Sequence, residues 1–367
     1  MYKVLITGIF GQDAQYMVEY LKQHDCVLHG FAPVRYRNYS NYNLNFQTIS
    51  YGDIANFSFV CETINKIKPD YVINFAAQSN AQKSKQEPYK TLNTNINGAL
   101  NCLEAIRLYA PKCRFFQASS SHIGEPNKTA YSISKHSSHL IVKEYREKHN
   151  IYAVNGILHN HTSPKQSLDF LPRKITHGIA KIIKSIENKE AFEPLKLYNL
   201  DEKRDWSAAE DFCDGIWRML NQDIFNKDLK HDLNITENMF NTYKDFSIWE
   251  YFVGNIKDYV LASGEVRTIR DLCNIVLKAA NIEGDWIMEG VNEKFIIANY
   301  LLDTCYIEQP VIIEIDAKLF SPIEDKILLI DTPIREELGW EPKIKFEDLI
   351  KQMFDNDLSE LNAKKLV

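Results

Sequence analysis

Positive charge is in deficit: 43 Lys and Arg stand against 49 Asp and Glu, a formal net charge of −6. A general nucleic-acid or membrane-surface binder needs a basic excess, so neither partner is expected. Cysteines are few and unpatterned. The seven (Cys26, Cys61, Cys102, Cys113, Cys213, Cys273, Cys305) are odd in number, widely scattered and contain no Cys-x-x-Cys. That argues against a disulfide framework and for reduced thiols in a cytoplasmic protein. No stretch is apolar for long enough to span a bilayer. The chain runs from Met1-Tyr2-Lys3 straight into Val4-Leu5-Ile6-Thr7-Gly8 without a charged leader, so no anchor or targeting segment is expected. Internal repeats and low-complexity linkers are missing too. The polar excess of a disordered chain is equally lacking, since 45% of the residues are hydrophobic and 25% charged.

What is present is length and alternation. The 367 residues are about twice the usual domain size, enough for one large α/β unit or two lobes sharing a cleft. Short apolar runs at Lys3–Thr7, Cys26–Ala32, Thr48–Tyr51, Tyr71–Ala76, Arg114–Ser119 and Tyr152–Leu158 alternate with helix-length segments such as Ser58–Lys68, Tyr89–Tyr109 and Ala130–His149. Strand followed by crossover predicts a Rossmann-type doubly wound parallel sheet over residues 1–165. Beyond it, residues 166–367 read as a smaller mixed α/β substrate lobe. There helices at Arg173–Glu187, Ala208–Leu220 and Thr268–Asn281 interleave with strands near Leu195–Tyr198 and Asp258–Ala262. A polar, aromatic-dotted insertion occupies Asn221–Ile256, longer than an ordinary connection and read as a surface insertion. The closing Phe346–Phe354 stretch is amphipathic and predicts a core-packing helix.

Two segments carry chemistry. Thr7-Gly8-Ile9-Phe10-Gly11-Gln12-Asp13-Ala14 follows the first strand and opens a helix, where glycines let backbone approach a pyrophosphate. No acid ends the second strand to hold a ribose hydroxyl, and Arg35 and Arg37 follow instead, which favours NADP over NAD. Asp53 reads as a contact to the adenine amino group or as a helix cap. Asn74-Phe75-Ala76-Ala77-Gln78 ends the fourth strand with small residues suited to a close ligand. At the other segment, Tyr131 and Lys135 lie four apart on one helix face. Tyr131 is the only one of nineteen tyrosines with such a lysine. A neighbouring ammonium lowers a phenol's pKa, so the pair suits proton exchange with a sugar oxygen during hydride transfer. Ser120, at the fifth strand's end, supplies a hydroxyl to the same oxygen. His159 and His161 lack a third ligand at metal spacing, so no metal is expected.

The order glycine turn, Asn-x-Ala-Ala, strand-end serine and Tyr-x-x-x-Lys resembles the extended short-chain dehydrogenase/reductase superfamily. Within it, the chain is similar to the GDP-mannose 4,6-dehydratase branch. The stretches that carry this are Gly11-Gln12-Asp13, Asn74 through Ser79, Tyr152 through Leu158 with Asn160-His161, Arg173-Lys174-Ile175-Thr176, Asn199-Leu200-Asp201, Lys203-Arg204-Asp205-Trp206, Asp258-Tyr259-Val260, Gly264-Glu265 and Leu338-Gly339-Trp340.

The resemblance implies an NADP-dependent enzyme that oxidises carbon 4 of a nucleoside-diphosphate sugar, expected to be GDP-linked, then eliminates water across carbons 5 and 6.

 It returns the hydride to carbon 6. Tyr131 would be the base for the carbon 4 hydroxyl, Lys135 would tune it and hold the nicotinamide ribose, and Ser120 would bond the same oxygen. Dinucleotide contacts fall to Gly8, Phe10, Gly11, Gln12, Asp13, Ala76, Ala77, Leu158 and His161. Sugar-nucleotide contacts fall to Gln78, Ser79, Asn160, Arg173, Lys174, Asn199, Lys203, Arg204 and Glu324. A homodimer or homotetramer is implied as well.

Four departures from the family pattern stand out. His122 occupies the place of the glutamate that removes the carbon 5 proton; an imidazole can serve as that base or merely fill the space. The segment between Ser121 and Tyr131 is shorter than the family's, which opens the sugar site to water or a larger sugar. Ser321 stands where the family has a nucleotide-contacting arginine, and Ala14 replaces a third glycine. The alternatives are a nucleotide-sugar 4-dehydrogenase, 4-reductase or epimerase without elimination, and a non-catalytic dinucleotide-binding protein.

Overall fold

The computed structural model describes residues 1–38, 45–124, 129–225, 249, 253–299, 311–318 and 333–363. Cys305, Ser321, Glu324, residues 125–128 ahead of Tyr131 and most of the Asn221–Ile256 insertion lie outside the described residues.

The chain forms two units. The first comprises Met1–His159, Ala209–Ala262 and Ile330–Pro342. Its strands are β1 (Tyr2–Thr7), β2 (Cys26–Ala32), β3 (Thr48–Tyr51), β4 (Tyr71–Asn74), β5 (Arg114–Ala118), β6 (Ala153–Leu158) and β10 (Tyr259–Leu261). They make one sheet in the order β10-β6-β5-β4-β1-β2-β3, parallel throughout. Such a sheet is covered on both faces, which is why its strands read as continuous apolar runs. Val4, Ile6, Ile73 and Phe116 join one core layer with Met17 and Val18 of helix Gln12–Leu21 and Phe212 and Ile216 of helix Ala209–Leu220. Leu5, Val72 and Phe115, the alternate positions, join the other layer with Ile64, Leu103, Ile106 and Val142 from three more helices.

The expected single break after residue 165 is replaced by an interleaved division. Residues Ala209–Ala262 return to the first unit, so all but the first residue of the Ala208–Leu220 segment, and the Asp258–Ala262 segment, both assigned by sequence to the second lobe, belong to the first unit. Strand β10 pairs with β6, Tyr259 opposite Gly156. Asp258 anchors that edge, accepting from Asn155 N at 2.7 Å and from Arg146 Nη1 at 2.6 Å. Three apolar residues carry no local signal of which sheet they will join; the long-range carboxylate contacts decide it.

The predicted Tyr89–Tyr109 helix is also broken. Pro88–Leu92 leads into a π turn at Asn93–Asn97 before Gly98–Tyr109 resumes. Helix Ala130–His149 starts where predicted because Thr129 and Ser132 close a capping box: Thr129 Oγ1 accepts from Ser132 N at 3.1 Å, and Ser132 Oγ accepts from Thr129 N at 3.0 Å.

The second unit comprises Asn160–Ala208, Ser263–Leu329 and Lys343–Val367. Its strands are β7 (Asn160–Thr162), β8 (Leu195–Leu197), β9 (Lys203–Ala208), β11 (Val266–Thr268), β12 (Glu283–Ile287), β13 (Lys294–Asn299) and β14 (Val311–Ile315). They form two sheets, β11-β9-β7 and β12-β13-β14-β8. Helices Leu171–Glu187, Ile269–Ala279 and Phe346–Ala363 supply a core of Ile175, Ile179, Leu272, Val276, Ile350 and Met353. The closing helix is thus a core element, as its pattern predicts. Among the described residues no helix is long and apolar enough to cross a membrane.

Candidate active site

In the first unit, β1 lies between β4 and β2, and helices leave β1 and β4 to opposite faces; ligands of such sheets bind at the carboxyl ends of the strands at this switch. Gly8 leaves β1 there with φ of +71°, and a side chain on it would bring a Cβ within 2.9 Å of Ala76 N. Both facts require glycine. The turn closes through Gly11 N donating to Gly8 O at 2.9 Å. Gly11 caps the helix Gln12–Leu21 with no side chain, so the positive pole of the helix dipole faces an uncluttered turn. This cradle fits a pyrophosphate. Ala14, in the place of a third glycine, is buried in the core layer. Gly8→Ala is expected to cost about 1–3 kcal/mol of stability from the left-handed backbone and the collision and to weaken dinucleotide binding; denaturant unfolding and a binding titration check both.

At the end of β2, Arg35 and Arg37 are exposed. The Arg35 guanidinium lies 4.8 Å from the centre of the Tyr36 ring and that of Arg37 5.7 Å from Tyr51. Tyr36 in turn packs on Phe10 of the glycine turn, ring centres 4.7 Å apart. Asp53 is exposed and accepts from Ala55 N at 2.9 Å. It does not cap the next helix: Asn56 does, accepting from Phe59 N at 3.1 Å.

The reacting groups converge on the end of β5. Tyr131 and Lys135 are buried on the helix Ala130–His149, and Ser120 is buried beside them. Lys135 Nζ donates to the Ala118 carbonyl oxygen at 2.7 Å and lies 5.8 Å from the Tyr131 ring centre. The His122 ring meets Tyr131 edge-on at 5.6 Å, and its backbone N–H donates to Ser120 Oγ at 3.2 Å. All four predicted catalytic residues therefore share one place.

Their electrostatics differ from the expectation. Burial raises the Tyr131 pKa, with the Ser120 hydrogen bond pulling against it and the Asp13 charge adding to it. Lys135 is pushed down to about 8, chiefly by burial, with Asp13 opposing. The expected lowering of the phenol by its lysine is overturned, because desolvation of a fully enclosed phenol outweighs a cation whose hydrogen bond goes to a backbone carbonyl. Tyr131 therefore holds its proton beyond the ordinary range of a phenol.

Sequence reasoning passed over Asn95. Its Oδ1 accepts from Gln78 N at 2.8 Å, and its Nδ2 donates to Ser134 Oγ at 2.8 Å. It thereby ties the loop after β4 to the helix that carries Tyr131. The signal was there: three asparagines in Asn93–Asn97 inside an apolar helical pattern, at a π turn of the kind found at functional sites. Gln78 is a brace of this loop: its Nε2 donates to Asn80 O and Thr91 Oγ1, both at 3.1 Å, and its Oε1 accepts from Asn80 N at 2.6 Å. Ser79 is exposed, Ala76 and Ala77 are partly so, and Leu158 is buried at the end of β6.

The remaining predicted contacts lie in the second unit. Asn160 and His161 stand on β7 opposite Trp206 and Ser207 of β9. Arg204 pairs with Glu202, and its Nη1 donates to Lys203 O at 2.9 Å; Lys203 is exposed. Asn199 is buried, its Oδ1 accepting from Asp201 N at 3.0 Å. Lys174 Nζ donates to Lys196 O at 2.9 Å. Arg173 departs from its predicted role: it is buried in an ion pair with Asp357 of the closing helix at 2.8 Å, where it clamps two helices together. Asp205 is likewise structural, accepting from Ser263 N at 2.9 Å and Gly264 N at 2.7 Å.

A family model for GDP-mannose 4,6 dehydratase matches residues 5–250 and 247–353. The GDP-mannose 4,6-dehydratase of Vibrio cholerae is 30% identical over 392 residues, spanning 99% of this chain and 95% of the relative. That of Drosophila melanogaster is 31% identical over 381 residues, spanning 96% and 85%. Among solved structures, the UDP-glucose 4-epimerase of Thermotoga maritima matches with a TM-score of 0.68 at 17% identity over 98% of this chain and 99% of that one. The dTDP-glucose 4,6-dehydratase of Bacillus anthracis matches with 0.64 at 17% identity, over 99% and 98%. These two likenesses are of fold.

Proposed function

This chain belongs to the GDP-mannose 4,6-dehydratase family, and from that premise we propose that it takes a GDP-linked hexose with NADP and converts it to the 4-keto-6-deoxy sugar. The observation that carries this reading is the buried cluster of Tyr131, Lys135 and Ser120 at the end of β5, in the same unit as the Gly8 cradle. A binding module has no need to bury a phenol and an ammonium together.

Held by the turn of Gly8 and Gly11 and by Lys135, a nicotinamide dinucleotide would supply the hydride acceptor for carbon 4 and the hydride donor for carbon 6, so that the overall change would be loss of one water. Tyr131 exchanges the proton of the carbon 4 oxygen, and Ser120, hydrogen-bonded to the phenol, polarises the same oxygen. Lys135 holds the phenol's surroundings positive while it keeps its proton. His122, against Tyr131, takes the carbon 5 proton where the family uses a glutamate and delivers it to the carbon 6 hydroxyl, which leaves as water; the proton that the carbon 4 hydroxyl gives up balances the one carbon 5 regains as hydride returns to carbon 6. In the second unit, Asn160, Lys174, Asn199, Lys203 and Arg204 supply polar and cationic groups suited to a sugar diphosphate.

The test is incubation with GDP-mannose and with UDP- and dTDP-hexoses, products identified by mass and proton NMR. Loss of one water from the GDP sugar supports the proposal. An unchanged mass with inverted stereochemistry replaces it with an epimerase, and net dinucleotide reduction with a 4-dehydrogenase. His122 in the glutamate's place is the observation that favours these second readings.

The choice of NADP rests on Arg35 and Arg37 and on the absence of an acid at the end of β2. Changing both arginines to alanine is expected to weaken NADP binding about tenfold or more, as loss of charged hydrogen bonds does, and to leave NAD binding nearly unchanged in a titration. The family reading also makes the protein a cytoplasmic homodimer or homotetramer. Ile133 and Leu140, exposed on the helix that carries Tyr131, suit such an association.

A further inference from the structure

Thr7 and Asn74 end β1 and β4, and Gln117 stands one residue before the end of β5, on three adjacent parallel strands in one register: Thr7 faces Asn74, and Asn74 faces Gln117. All three are buried. Ala76 N donates to Thr7 Oγ1 at 3.0 Å. Thr7 Oγ1 donates to Asn74 Oδ1 at 2.6 Å, and Asn74 Nδ2 donates to Gln117 Oε1 at 2.7 Å. Gln117 Nε2 then donates to the Ala118 carbonyl oxygen at 3.2 Å, the atom that also accepts from Lys135 Nζ.

The direction of every bond in this row is set from its Ala118 end, because a carbonyl oxygen only accepts. Gln117 therefore presents its nitrogen to Ala118 and its oxygen to Asn74 Nδ2. That turns the Asn74 oxygen toward Thr7, whose hydroxyl must donate to it while accepting from Ala76 N. A flip at any link sets two oxygens or two N–H groups against each other in a buried site, a costly arrangement. One end of the row holds Ala76, against which Gly8 packs; the other holds the carbonyl on Lys135.

We propose that Gln117 is a positioning residue of the reaction, ending an amide relay from Thr7 through Asn74 that sets the carbonyl gripping Lys135 together with the turn that receives the dinucleotide. The proposal rests on the dehydratase reading given above. Its consequence is that a change at Thr7, which lies at the opposite end of the row, reaches the lysine.

Two neutral substitutions test it without adding charge: Gln117→Met and Thr7→Val. Gln117→Met removes the second donor to the Ala118 oxygen, and Thr7→Val removes the hydroxyl that fixes Asn74 and, through it, that donor; in both, the oxygen is left more fully to the ammonium, which favours the charged lysine. The alkaline limb of the kcat–pH profile is expected to move up by about half a pH unit or more in both variants. Thr7→Val is also expected to weaken dinucleotide binding about fivefold by titration, the size of one lost buried hydrogen bond. Asn101→Leu is the control, since Asn101 is buried in the same unit and donates to Ile54 O at 2.9 Å, outside the relay. Variants with a lower melting temperature but the parental limb and affinity overturn the proposal, as does a control that shifts both equally. A parent that neither binds dinucleotide nor turns over sinks the functional reading instead. If Gln117→Met does not fold, Thr7→Val alone decides, because both readouts are defined for it.

Discussion

Tyr131→Phe is expected to lower kcat by about 10²–10⁴, the usual worth of a positioned acid or base, while dinucleotide affinity stays close to that of the parent. Phenylalanine keeps the packing of a buried ring and removes only the oxygen hydrogen-bonded to Ser120. The parent's pH profile follows from the two shifts. Burial keeps Tyr131 protonated beyond its ordinary range, and Lys135 titrates near 8. A lysine with a lowered pKa loses its charge early, so the rate is expected to fall as the pH rises through about 8. Single-turnover kinetics and a substrate titration separate a lost chemical step from lost binding. Full activity in Tyr131→Phe would discredit the assignment of the phenol as the proton carrier.

Much of this arrangement was legible in the residues. Continuous apolar runs separated by helical periods gave the parallel sheet, and a glycine pair directly after the first strand gave the turn. Tyr131 and Lys135 needed only the period of a helix. The failures share a physical cause, which is that they depend on contacts distant in sequence. Strand β10 is three residues long and is placed by Asp258 bonding to Asn155 and Arg146, more than a hundred residues earlier. Arg173 reads as a ligand cation until Asp357 is seen beside it. The pKa of Tyr131 turned on how completely the phenol is enclosed, which spacing along a helix cannot convey. Asn74 and Gln117 were visible as amides at or beside strand ends, but their direction is set by register across three strands.

The largest departure from the family pattern, His122, yields the sharpest expectation. Its ring lies against Tyr131 and its backbone bonds Ser120, so it neighbours the groups that handle the carbon 4 oxygen. If the imidazole removes the carbon 5 proton, His122→Ala should slow loss of water by about 10²–10⁴ and spare oxidation at carbon 4, leaving a 4-keto hexose that retains its carbon 6 hydroxyl. NMR of the quenched mixture detects that species. His122→Glu should restore dehydration, and the acid limb distinguishes the two bases. A base works only when unprotonated, so activity is lost as the pH falls, and a carboxylate stays unprotonated to lower pH than an imidazole does. The limb should therefore move to lower pH in the glutamate variant. Undiminished dehydration in His122→Ala would mean that the ring only fills space, and the carbon 5 proton would have to leave through another group, the Tyr131 phenol against which the His122 ring lies being the first to test.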